Sequence, residues 1–401
     1  MKPTDSIAFF NSNADTSYLC FGKGASIAFD QSIDFEKLQQ FITANKGKFI
    51  YGYLTYDVKN SVEQLTSSNS DNLHFPTVYF HVPEIVVRTE GERRSVIQGT
   101  ETNETIRFVT SFFQELNAEK KPSGIDAFRA RISKEEYIAA VHQLKQHIQR
   151  GDIYEINFCQ EYFSEQVKLT DPISVYSTIN NITQAPFSVY LQHDQFHVFC
   201  GSPERFLQKK GTTVLSQPIK GTAKRGTTET EDEQLKTALV NNPKERSENV
   251  MIVDLVRNDL SKVAEKGSVT VDELFGVYTY RTVHQLVSTI SCQVSEGVSF
   301  TDLIKATFPM GSMTGAPKVS AMKLSEHYES FKRGLYAGSI GYILPNGDFD
   351  FNVVIRSLLY NAHTNYLSCG VGGAITINSD AEKEYEECET KVRKLLTAVT
   401  G

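Results

Sequence analysis

Strand-forming and helix-forming runs follow one another along this chain without a regular strand–helix–strand rhythm, which argues against a doubly wound parallel sheet. Residues 49–56, 77–82 and 84–88 are dense in β-branched and aromatic side chains and read as short strands. One amphipathic stretch, 33–43, reads as a helix within a region, 1–115, that is otherwise mainly β. The polar segment 116–124, with Pro122 and Gly124, reads as a linker. After it, Ser133-x-x-Glu136 has the form of a capping box, in which hydroxyl and carboxylate satisfy reciprocal backbone amides at a helix start. Tyr137, Val141, Leu144 and Ile148 keep helical spacing up to a stop at Gly151. Strands are expected at 188–191, 196–199, 338–344, 351–359 and 374–377. Helices are expected from Pro243 through Arg257 and from a second capping box, Ser379-x-x-Glu382, to about Val399. The pattern predicts one large α+β unit with mainly antiparallel sheets.

Composition narrows the function classes. The 401 residues carry a net charge of −7, so nothing electrostatic draws the chain to nucleic acid or an anionic membrane. No apolar run approaches the roughly 20 residues a membrane helix needs. The first residues, one lysine followed by polar side chains, do not read as a secretory signal. Six cysteines lie far apart with no CxxC pair, which disfavours a cysteine zinc site and suits reduced thiols in a cytoplasmic protein.

Several segments carry chemistry or mimic it. Glu384 and Glu387 flank the apolar stripe of the last helix at i, i+3. They can hold Mg²⁺, or they can simply complement the helix dipole together with Glu382 and Glu386. Glu248, Asp254 and Arg257 interrupt the apolar run of the 243–257 helix and face either partners or solvent. Gly311 to Lys318 lacks P-loop spacing; its amides suit an anion at a helix start or a tight turn. Gly370-Val371-Gly372-Gly373 precedes a strand, not a helix, so the dinucleotide fingerprint fails. Its amides can approach a carboxylate, or form a turn. Lys220 sits between Pro218 and Gly221. To act as a nucleophile its amine must be neutral, through burial or a neighbouring cation such as Lys224 or Arg225.

Together these segments resemble the chorismate-utilising enzymes. The resemblance rests on Ser202-Pro203-Glu204-Arg205-Phe206, Pro218-Ile219-Lys220-Gly221-Thr222, Glu248-Asn249-Val250-Met251-Ile252-Val253-Asp254 and Thr314-Gly315-Ala316-Pro317-Lys318. It continues through Arg333-Gly334, Tyr336, Ile355-Arg356 and Glu384-x-x-Glu387 to Lys391, in family order over about residues 130–401. It implies a large two-lobed antiparallel β-sandwich flanked by helices. Residues 1–115 would contribute to the same fold, and 125–401 would form the chorismate-binding catalytic domain.

The site residues follow from the same resemblance. Glu248, Glu384 and Glu387 would bind Mg²⁺, which also meets the ring carboxylate of chorismate. Lys391 and amides near Gly370 and Gly372 would hold that carboxylate from the other side. Tyr336 and Arg356 would clamp the enolpyruvyl carboxylate, and Thr222 and His284 would line the ring pocket. Glu204 would protonate the departing C4 hydroxyl. Members that make anthranilate have Ala at the place of Lys220. Members that add water at C2 have a lysine base in the segment of Tyr154-Glu155-Ile156-Asn157, at the place of Ile156. Lys220 without that base implies the subgroup that aminates C4 through a covalent lysine intermediate. The alternatives are an anthranilate-forming enzyme and a non-catalytic subunit that keeps the fold. Since no cysteine sits in a Gly-x-Cys-x-Gly turn, ammonia would come from a separate glutamine amidotransferase subunit.

Overall fold

The computed structural model describes residues 6–14, 16–118, 125, 127–281 and 283–400. Among these, the strands form two large sheets in which every pairing is antiparallel. The first sheet is centred on the strands Glu155–Ser164, Tyr366–Ile375, Ser357–Asn361 and Phe196–Ser202. It continues through Phe187–His193 into the N-terminal strands Ser6–Asn11, Thr16–Phe21, Ile85–Glu90 and Arg93–Gln98. The second runs from Ile219–Lys224 through Val283–Gln293, Thr213–Gln217, Arg205–Lys210, Phe349–Asn352 and Ser339–Ile343 to Ile50–Leu54, Val78–His81 and Ser26–Phe29. The chain is therefore an α+β fold in which both sheets mix early and late strands.

Two apolar layers hold it together. One lies between the sheets and includes Phe10, Tyr51, Leu54, Cys159, Phe163, Val198 and Phe351. The other lies between the outer face of the first sheet and the helices Asn103–Asn117, Lys134–Arg150, Pro172–Thr183 and Ala381–Thr400. The strand Glu155–Ser164 is buried on both faces. With side chains alternating, Ile156, Phe158 and Tyr162 enter the helix layer, while Cys159 and Phe163 enter the inter-sheet layer. That parity also assigns Glu155 to the inter-sheet face.

Several local expectations hold. The Ser133–Glu136 box forms, with Gly151 at φ 84° ending the helix, and Asn242 with Pro243 starts Pro243–Ser261. Others need correction. The expected strand 351–359 is two strands, Phe349–Asn352 in one sheet and Ser357–Asn361 in the other. The chain crosses between them with Arg356 at φ 53°, a strained value for a non-glycine residue. Gly370 to Gly373 lie inside Tyr366–Ile375, not ahead of a strand. The last helix begins at Ala381, and its cap is Asp380, whose carboxylate accepts from the Lys383 amide. Ser379 instead accepts from Thr376. Of the expected linker, Leu116 and Asn117 end the helix Asn103–Asn117, a helix the β-rich reading of that region did not contain; 119–124 lie outside the described residues. No described helix is long and apolar enough to cross a membrane.

Candidate active site

Lys220 projects from the edge strand Ile219–Lys224 of the second sheet. The register with Val283–Gln293 slips between Ile219 and Thr222, a bulge that re-aims the lysine. Gly221 follows at φ 98°, a backbone angle that glycine takes without strain. Across the gap, Glu155 stands at the start of its strand, pinned through backbone bonds from Tyr154 to Ala316 and from Asn157 to Thr314. Lys220 Nζ donates to Glu155 Oε1 at 3.0 Å, with side chains 11% and 1% exposed.

This environment corrects one expectation. Arg225 is committed to Asp232 and the Tyr280 carbonyl, and neither it nor Lys224 is among the main charges acting on Lys220. Its neighbours are carboxylates. Burial alone would lower its pKa, but Glu155, Glu248 and Glu204 outweigh it and raise it. The resting amine is an ammonium. Parity also shows that Ile156 is fully buried among helices, so the pocket-facing position of that segment is 155.

Glu204 precedes the strand Arg205–Lys210 and is buried. Its Oε1 accepts from the Ser312 hydroxyl at 2.5 Å. Burial pushes its carboxyl up to about 7, against the opposing pull of Ser312 and Lys220. Near neutral pH it can hold and release a proton. Ser312 belongs to the tight turn Gly311–Met313, so the glycine-rich segment acts here as a turn that positions a donor. Lys318 is tied to Asp259 and to the Thr307 and Pro309 carbonyls, leaving it no anion to bind. Arg333, buried and paired with Glu329, donates to the Met313 and Asn157 carbonyls and so fastens this turn to the Glu155 strand.

Glu248 and Glu384 are both buried, and one ammonium lies between them: Lys244 Nζ is 3.0 Å from Glu384 and 3.8 Å from Glu248. Glu387 is half exposed and pairs with Lys391 at 2.8 Å; burial would raise its pKa, but Lys391 outweighs that and lowers it. Among the described residues no three acidic, histidine or cysteine side chains converge closely enough to hold a metal ion. The donor chemistry nevertheless fits a hard cation: Glu248 Oε1 is buried without a hydrogen-bond partner, and burial raises that carboxyl to about 7.

The remaining expected residues divide. Lys391 also donates to the Gly372 carbonyl at 2.9 Å, which places it beside the glycine strand. At Gly370 a Cβ would lie 2.3 Å from the Tyr336 ring, so this glycine makes room for the tyrosine. At Gly372 a Cβ would lie 2.6 Å from Cys159 Sγ. It is Gly373, not singled out by its type, that faces Glu384 and Lys391. Tyr336 is buried, and its hydroxyl donates to Cys159 Sγ. Burial holds the Arg356 guanidinium below its usual pKa, and it makes no hydrogen bond or ion pair with any described residue. A half-buried cation with no ion-pair partner among the described residues can receive a carboxylate. His284 is committed at both ring nitrogens, to Thr279 and to Asp232, and Thr222 is exposed. The structure thus brings Lys220, Glu155, Glu204, Ser312 and Glu248 into one charged cluster and makes His284 a strut. Sequence reasoning missed Glu155, Ser312 and Lys244. The signal for Glu155 was an acid opening a strand rich in apolar and aromatic residues.

Residues 5–397 match the family described as chorismate binding enzyme. The chain belongs to this family. This member is similar to aminodeoxychorismate synthase component 1 of Bacillus subtilis, 34% identical over 84% of this chain and 73% of the relative. It is similar to anthranilate synthase component 1 of Aquifex aeolicus, 33% identical over 87% and 74%. Its fold matches anthranilate synthase component I from Streptococcus pneumoniae with a TM-score of 0.82 at 24% identity, covering 96% and 92% of the two chains. Within this chorismate-binding member, identity alone separates the two relatives by one percentage point, so the side chains of the pocket have to decide between their activities.

Proposed function

We propose that the chain is an aminodeoxychorismate synthase component 1, converting chorismate and ammonia to 4-amino-4-deoxychorismate on the way to p-aminobenzoate. The observation that carries this reading is Lys220: a buried amine in the same charged pocket as a carboxyl poised to give up a proton near neutral pH. Once neutral, Lys220 attacks C2 of chorismate. Glu204, positioned by Ser312, protonates the C4 hydroxyl as it departs. Ammonia then enters at C4 and the lysine leaves. A covalent lysine divides one hard substitution into two easier ones.

The other residues bind and orient. Arg356, with Tyr336 close enough to perturb its ionisation, receives the enolpyruvyl carboxylate. Lys391, between Glu387 and the Gly372 carbonyl, meets the ring carboxylate. Glu248 and Glu384, with Glu387, would hold Mg²⁺. When bound, the ion supplies positive charge for that same carboxylate. The residues named in this reaction all fall in 125–401, the catalytic division of the chain; residues 1–115 build the shared sheets. The partner is a glutamine amidotransferase subunit that delivers ammonia, in keeping with the component 1 naming of the relatives, and the proposed location is the cytoplasm.

The test is intact-mass measurement with chorismate and Mg²⁺ but no ammonia. A mass increase that Lys220→Ala removes supports the reading, as does 4-amino-4-deoxychorismate on adding ammonium. The anthranilate-synthase relative motivates the second reading. Anthranilate as the sole product, with Lys220→Ala still active, would establish it instead.

A further inference from the structure

An ammonium cannot attack carbon, and the pocket holds Lys220 as one. Its proton must pass to an acceptor within reach before the proposed chemistry starts. Among the described residues Glu155, Glu248 and Glu204 act most strongly on Lys220; Glu245 and Glu387 also feel its charge but share no hydrogen bond or ion pair with it. Glu204 has to keep its own proton for the departing hydroxyl. Glu248 stands farther off, beside Lys244. Glu155 remains. Its Oε1 accepts the hydrogen bond that Lys220 Nζ makes, at 3.0 Å, and its Oε2 is buried without a partner. The backbone bonds that flank it on either side hold its carboxylate opposite the amine.

We propose that Glu155 is the catalytic base that takes the proton from Lys220. The N–H bond breaks, its electron pair stays on nitrogen, and an O–H bond forms on Glu155. The freed pair makes the bond to C2, the ring double bonds shift, and the C4–O bond breaks; oxygen takes the Glu204 proton and leaves as water. When ammonia attacks C4, the C2–N pair returns to Lys220. Glu155 then hands its proton back, and the new C4 ammonium returns one to Glu204. The sum is chorismate plus ammonia giving aminated product plus water, with no outside oxidant or reductant.

This inference rests on the proposed amination chemistry, and one experiment separates the two. Adduct formation is timed by intact mass after mixing the whole chain with chorismate and Mg²⁺. Wild-type protein forming no adduct overturns the amination reading itself. With wild-type adduct in hand, Glu155→Gln, close to isosteric, is expected to slow its formation by about 100-fold or more at unchanged chorismate affinity. Glu155→Ala should be comparably slow and be accelerated by added formate. A merely electrostatic role predicts the reverse, because removing the negative charge eases deprotonation of Lys220. Adduct formation within about threefold of wild type in either folded variant overturns the assignment, as does a slow Glu155→Ala that formate leaves slow.

Discussion

Burial gives Glu204 and Glu248 similar proton affinities for different uses. Glu204 keeps a hydroxyl donor, Ser312, which suits the proposed proton exchange; Glu248 Oε1 keeps its lone pairs free of any hydrogen bond, which suits a cation. The Glu204 pKa of about 7, against an ordinary 4.5, has a consequence for stability. Between those values the folded chain holds a proton that the unfolded chain has lost, so stability falls as pH rises. The full cost, about 3 kcal/mol, is present above about pH 7 and absent below about pH 4.5. Glu204→Gln is expected to remove that part of the slope in urea unfolding measured across this window, and to lower kcat by roughly 10²–10⁴. In the wild-type enzyme the hydroxyl-loss step should slow as pH rises through about 7. Lys244 gives a second prediction at this scale. Its ammonium neutralises Glu384 and lies near Glu248, so Lys244→Met should lower the melting temperature without metal. Added Mg²⁺ should then raise it by more than in wild type; a smaller rise counts against the carboxylates as its ligands.

Elements with strong local signals were legible: the Ser133–Glu136 box, the Pro243 start and the periodic helices depend on neighbours in sequence. What escaped depends on neighbours in space. Asp380 rather than Ser379 caps the last helix because Ser379 is already bonded to Thr376, a contact no spacing rule contains. The run 351–359 reads as one strand because both halves are apolar, yet they pair in different sheets. The strand Glu155–Ser164 is buried on both faces, so its sequence shows no alternation, and a one-residue slip moves every side chain to the other face. Hence sequence alone does not show that Glu155, and not Ile156, faces the pocket. Lys220 and Glu204, the proposed catalytic pair, were legible only through family resemblance, since their burial comes from the closure of two sheets. Gly370 has a packing role of its own, making room for the Tyr336 ring. Gly370→Ala should cost about 1–3 kcal/mol by urea unfolding, because the new methyl meets the Tyr336 ring. An unchanged midpoint would mean that the ring yields freely.

At the level of the whole molecule, the two sheets tie the ends of the sequence together. Ser6–Asn11 pairs with Phe187–His193, and Ile50–Leu54 pairs with Ser339–Ile343, so each sheet is continuous only when early strands join late ones. The inter-sheet core draws on both, with Tyr51, Leu54 and Phe80 among Val198, Phe308 and Phe351. Such sharing couples the stability of the N-terminal strands to that of the pocket: loosening the Ile50–Leu54 strand removes the pairing partner of the strand that follows Tyr336. Leu54→Ala, at a fully buried position more than 150 residues from Lys220 in sequence, tests this. The truncation should cost about 2–5 kcal/mol. Because the core is common, the loss should appear as one shifted transition, with near- and far-ultraviolet dichroism moving together. Amide protection in Ser339–Ile343 should be lost over the same range of urea. Separate transitions, with the later strands still protected after the earlier ones have melted, would show two independently stable units.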